Sequence, residues 1–277
     1  MTRTATHSHF ARADRVRAQE LALTDSPFTI EVRFVGGLTD SQEAAFAAAA
    51  DRWATLIVGD LPEARIPDGA GGTIAVDDVL IFAEGRQIDG PGTILGQAGP
   101  TWIRRDSLLP IAGEMTFDSA DLAGLEADGR LGDTITHEMG HVLGIGSLWS
   151  DHGLLRDAGT DGPVFVGPSA MDEYGALTGS AAEPVPVEDK GGPGTAGAHW
   201  RDAVFGTELM TGFISAAGIA NPISRITVGS LADMGYLVDV AAADPFTLPD
   251  LLAVRESGLP ERPARSGYVL PTLPRRV

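Results

Sequence analysis

The stretch THEMGHVLGIG, Thr136 to Gly146, constrains this chain more than any other part of it. Residues four apart on a helix lie on one face, so His137 and His141 can aim their rings at a common centre. Glu138 sits about a hundred degrees further round the helix, near that centre but not aimed into it. There a carboxylate can take a proton from water held at the centre. Gly144 and Gly146 then stop the helix, since glycine tolerates the left-handed backbone that ends one. The spacing predicts a helix over roughly 133–143, with Ile135, Met139 and Val142 available to the core.

The ligand set follows from what is missing. The chain has no cysteine, which excludes disulfides, thiolate metal sites and a cysteine nucleophile. Any ion must be held by His, Asp or Glu, and paired imidazoles suit zinc. A catalytic zinc keeps one position open and takes three protein ligands. The pattern H-E-x-x-H-x-x-G-x-x-H finds its glycine at Gly144, but position 147 is Ser, so the third ligand comes from further along. The other histidines are His7, His9, His152 and His199, and Glu173 would give a two-His-one-Glu site. Asp118, Asp121, Asp128 and Asp133 crowd the approach to the helix but lack the order of a calcium loop, so they read as solvated charge.

The net charge of −18 repels phosphate backbones, which argues against nucleic acid as a partner. No run approaches the eighteen or so apolar residues that span a bilayer. The first 26 residues lack the apolar core of a secretory signal, which leaves the compartment open.

The chain divides into four stretches by pattern. Residues 1–26 read as a flexible N-terminal arm. Residues 27–146 read as a catalytic lobe of mixed α and β structure. In it FTIEVRFVGG (28–37) alternates like a half-buried strand, and Thr39 with Gln42 forms a capping box ahead of a long helix that ends near Gly59. TIAVDDVLIFAEG (73–85) and GEMTFDS (113–119) read as further strands. Residues 147–240 form an irregular, Gly- and Pro-rich C-terminal lobe, with a helix expected over 224–235. Residues 241–277 read as a Pro-rich tail.

HEMGHVLGIGSLW, then GTAGAHW, ELMTG and SRITVGSLADMGYLVD, resemble in order the catalytic segments of the leishmanolysin family of zinc endopeptidases. That family is one of the metzincins. The resemblance runs over roughly 118–239 and implies an α+β metzincin-like fold, with an N-terminal mixed sheet, two long helices and an irregular C-terminal lobe. It implies that His137, His141 and His199 hold a single zinc ion, that Glu138 is the catalytic base, and that Met210 is the floor beneath the metal rather than a ligand. GEMTFD resembles the strand bordering the cleft, which implies a protein or peptide substrate bound in extended conformation. Eukaryotic members use cysteines for disulfides and for latency, and this chain departs from them in having none. The alternative is an inactive, metal-stabilised binding or adhesion module on the same fold. Glu138 separates the two, because a purely structural site has no use for a carboxylate at an open coordination position.

Overall fold

The computed structural model describes residues 7–88, 90, 96–192, 194–249 and 273–277. In chain order its first half carries β1 (His7–Arg12), the single turn α1 (Arg15–Arg17), β2 (Thr29–Gly36), α2 (Asp40–Leu56), β3 (Ala64–Pro67), β4 (Thr73–Val76), β5 (Val79–Arg86), β6 (Gly96–Ile103), β7 (Pro110–Asp118), α3 (Ser119–Ala127) and α4 (Leu131–Val142). There follow β8 (Leu155–Arg156), β9 (Val164–Phe165), α5 (Pro168–Thr178), β10 (Val185–Pro186), α6 (Asp202–Phe205), α7 (Arg225–Met234) and β11 (Arg275–Arg276).

A mixed sheet in the order β1-β2-β5-β7-β6-β11 forms the frame. β2, β5 and β7 run parallel, while β1 is antiparallel to β2 and β6 to β7. The alternation of β2 buries Ile30, Val32 and Phe34. Against them lies α2, which starts at the predicted box: the Gln42 amide donates to the Thr39 hydroxyl, and the Thr39 amide to the Gln42 side chain, at 3.2 and 3.0 Å. Phe46, Ala49, Ala50 and Trp53 are its buried face. Trp53 then reaches α4, donating its indole N–H to the Thr136 carbonyl at 2.9 Å. At the C-terminal end of α4, a Cβ on Gly113 of β7 would stand 2.4 Å from Val142 Cγ1, so only glycine lets helix and sheet come this close. The histidine helix is thus held between the long helix and the centre of the sheet.

Several expectations change. β7, which contains GEMTFD, is paired on both sides, so it is not the strand that borders a cleft; β6 lies outside it. β6 escapes a reading by pattern because its sequence, GQAGPTWI, carries two glycines and a proline that look like turn residues. The run 73–85 is two strands, since β4 leaves the main sheet to pair with β3. The stretch 1–26, expected as an arm, contains the edge strand β1, whose inward residue Ala11 is fully buried beside β2. His7 and His9 of that strand lie 2.9 Å from Glu43 and Asp51 of α2. Of the tail, residues 250–272 lie outside the described residues, and β11 pairs in parallel with Trp102 and Ile103 of β6.

Beyond α4 the chain is mostly turns and two-residue strands around α5 and α7. One hydrophobic cluster nevertheless runs from Ala11 to Tyr236, through both halves. Among the described residues no helix is long and apolar enough to cross a membrane.

Candidate metal centre

The structure brings His137, His141 and His199 together, each about 1% exposed. Their Nε2 atoms form a near-equilateral triangle: 3.1 Å from His137 to His199, 3.1 Å from His137 to His141, and 3.0 Å from His141 to His199. The opposite ring nitrogens all meet backbone carbonyls, Nδ1 of His137 at Leu209 (2.7 Å), of His141 at Ile145 (2.8 Å) and of His199 at Thr195 (3.1 Å). A carbonyl only accepts, so each Nδ1 carries the proton and each neutral ring turns its Nε2 lone pair to the centre. Burial keeps the His141 and His199 rings neutral. It pushes the His141 pKa down to about 4, and burial together with the neighbouring His141 pushes that of His199 down to about 3. Three lone pairs converging in a dry site repel one another unless a cation sits between them. A tetrahedral ion at about 2.0–2.1 Å from each nitrogen would set them about 3.3 Å apart, close to what is seen.

Local structure explains how a ligand 58 positions beyond His141 arrives. The chain leaves α4 through Gly144 and Gly146, both with positive φ. A Cβ on Gly146 would stand 1.9 Å from the Ala198 carbonyl oxygen, so the segment carrying His199 returns by lying directly on this glycine. The Ser147 hydroxyl, at the position where the H-E-x-x-H-x-x-G-x-x-H pattern carries a histidine, instead donates to the His141 carbonyl at 2.6 Å.

Glu138 is fully buried, with Oε1 3.8 Å from His137 Nε2. The side chain of Met210 lies against Gly140, on the helical turn between the two histidines: a Cβ there would be 2.8 Å from its Sδ. The rival ligands are elsewhere. Glu173 accepts both arms of Arg225 at 2.6 and 2.7 Å, and burial lowers the pKa of His152 in a separate environment near Asp151 and the Leu108 backbone. The acidic residues around the start of α4 form no group that could hold an ion: Asp118 caps α3, Asp128 pairs with Arg130, and Asp133, in the first turn of α4, accepts from Asn221. Among the described residues one other group, Asp60, Asp77 and Asp78, is close enough to hold an ion. There Asp78 already accepts from the Thr29 and Leu61 amides, and the Arg104 guanidinium donates to the Asp77 and Asp78 carbonyls.

Sequence reasoning missed the supports. Tyr236 donates its hydroxyl to the Leu143 carbonyl at 3.0 Å, at the end of α4, and burial raises its pKa. Glu208, fully buried, accepts from the Met210 amide and from Ser224 and Thr227 at the start of α7. Burial raises its pKa, and these hydrogen bonds act against that rise. The only signal was a glutamate inside an otherwise apolar turn, ELMTG.

A family model described as Leishmanolysin matches residues 58–250, which include every residue of this site. Leishmanolysin of Leishmania donovani is 28% identical over 213 residues, 70% of this chain and 34% of the relative. Leishmanolysin of Leishmania major is 28% identical over 208 residues, 69% and 32% of the two chains. The ciliated left-right organizer metallopeptidase of Xenopus laevis is 26% identical over 197 residues, 63% and 27%. The chain spans about a third or less of the length of these relatives. With its matched segment running from the end of α2 past α7, this chain belongs to the leishmanolysin family.

Proposed function

We propose that the chain is a zinc-dependent endopeptidase of metzincin type, with His137, His141 and His199 as the zinc ligands and Glu138 as the catalytic base. The observation that carries this is the convergence of three Nε2 lone pairs whose rings are fixed by Nδ1–H bonds to carbonyls. When bound, zinc lowers the pKa of a water toward about 7 and polarises the scissile carbonyl. Glu138, buried with its carboxylate beside His137, takes the proton of the attacking water and passes it to the leaving amine. The peptide bond is then hydrolysed with no covalent link to the protein. Met210 packs beneath the histidine helix and keeps its pitch at Gly140. The substrate lies extended along residues 96–101 of β6, outside β7 and short of the Trp102–Ile103 pairing with β11, where main-chain hydrogen bonding recognises backbone before side chains.

The test is metal analysis with digestion. The purified chain should carry about one zinc per molecule and should cleave casein or a mixed-peptide pool in a chelator-sensitive way. A folded preparation that takes up no zinc would sink this reading.

A further inference from the structure

Two of the three ligands belong to segments far apart in sequence, and one buried side chain ties together the residues that hold them. Glu208 Oε2 accepts the Met210 amide N–H at 2.6 Å. Its Oε1 accepts the Ser224 amide at 3.1 Å, the Ser224 hydroxyl at 2.8 Å and the Thr227 hydroxyl. The Thr227 oxygen in turn accepts the indole N–H of Trp200 at 2.8 Å, and the Trp200 amide donates to the Met210 carbonyl at 3.0 Å. The hydrogen bonds therefore close a ring: Glu208, Met210, Trp200, Thr227 and back to Glu208. Trp200 follows His199 directly. Leu209, between Glu208 and Met210, offers the carbonyl that fixes Nδ1 of His137.

We infer that Glu208 is a positioning residue of the metal centre: by clamping the 208–210 turn to Trp200 and to the start of α7, it aims the Leu209 carbonyl at His137 and sets His199 opposite. Buried acceptors of this kind are expensive unless every lone pair is used, and here four donors converge on one carboxylate. A carboxylate serving only to cap α7 would need Oε1 alone. Oε2 is spent on the turn that holds the ligand, which is what outer partners of metal-binding histidines do. His141 is outside the ring, since its Nδ1 meets Ile145 at the end of its own helix. The clamp therefore acts on His137 and His199 and leaves His141 alone. The inference rests on the three histidines being a metal site.

Glu208→Gln tests it. The amide keeps one oxygen for Ser224 and Thr227 and turns an NH2 toward the Met210 N–H, so the cap survives and the turn is released. Zinc affinity of the full-length chain, measured by competition with a chromophoric chelator, should fall about 10- to 100-fold. In the metal-free protein, ring nitrogen shifts should report His137 wholly as the Nδ1–H tautomer in the parent and as a mixture in Glu208→Gln, with His141 unchanged. A folded variant with a lower Tm but parental zinc affinity and parental His137 tautomer would reduce Glu208 to a structural cap and overturn the inference. If Glu208→Gln does not fold, Thr227→Val opens the ring on its other side, and the same two measurements decide. If the parent itself binds no zinc, the metal reading fails on its own, while the tautomer comparison still decides whether Glu208 orients His137.

Discussion

Glu138 and His137 are adjacent in sequence and differ in what their removal should do. No proposed ligand is lost in Glu138→Ala, so zinc should stay bound while hydrolysis falls by several orders of magnitude, read by elemental analysis beside a peptide assay. Loss of metal in that variant would mean that the carboxylate supports a ligand and is not the base. Met210 makes the opposite case. Its thioether fills space against Gly140, so Met210→Leu should cost below about 1.5 kcal/mol in a denaturant titration and keep the metal, as volume-conserving swaps do. Stoichiometric loss of zinc would show that the sulfur does more than pack. His152, which lies near Leu108 and Asp151, supplies the control: His152→Ala should leave zinc in place.

At the scale of elements, the histidine helix was readable because periodicity, the H-E-x-x-H order and the stop at Gly144 all fall inside one short segment. The long helix α2 was readable for the same reason, since its capping box and apolar stripe are local. β1 and β6 were not. HSHFAR puts one fully buried residue into the core, and GQAGPTWI reads as turn, so both become strands only because β2 and β7 offer them an edge. Glu208 was equally hidden, for its partners Ser224 and Thr227 are the N-cap, 16 residues later, and the first turn of α7. The connection between α4 and the returning segment that carries His199 can be tested at Gly146. An alanine there would be strained at φ 71° and would meet the Ala198 carbonyl. Gly146→Ala should therefore destabilise the chain by roughly 2–4 kcal/mol, combining strain with a forced backbone shift, and should weaken zinc binding because His199 moves with Ala198. Gly124→Ala, on α3 with open space around its Cβ, should be neutral or slightly stabilising. Equal effects at the two positions would remove the argument from close approach.

For the molecule as a whole, the endopeptidase function proposed above would let net charge bias which peptides arrive. The chain carries −18, and a cavity of about 420 Å³ beside the His199 segment is lined by Gly146, Ala198, Asp161, Glu188 and Asp189. Two of those carboxylates are already engaged: Glu188 accepts the Asp189, Lys190 and Asp202 amides, and Asp189 lies 3.5 Å from Arg201. What reaches the approaching substrate is thus mostly the summed field, which extends about 30 Å at 0.01 M salt and about 8 Å at 0.15 M. Such a field raises the encounter rate of cations and hardly alters the bond-breaking step. Two peptides sharing one scissile sequence, flanked by lysines in one and glutamates in the other, separate these contributions. Between those salt concentrations kcat/KM should fall several-fold for the lysine peptide and rise for the glutamate peptide, with kcat nearly constant in both. Identical salt dependence for the pair would mean that the acidic surface does not face the path of the substrate.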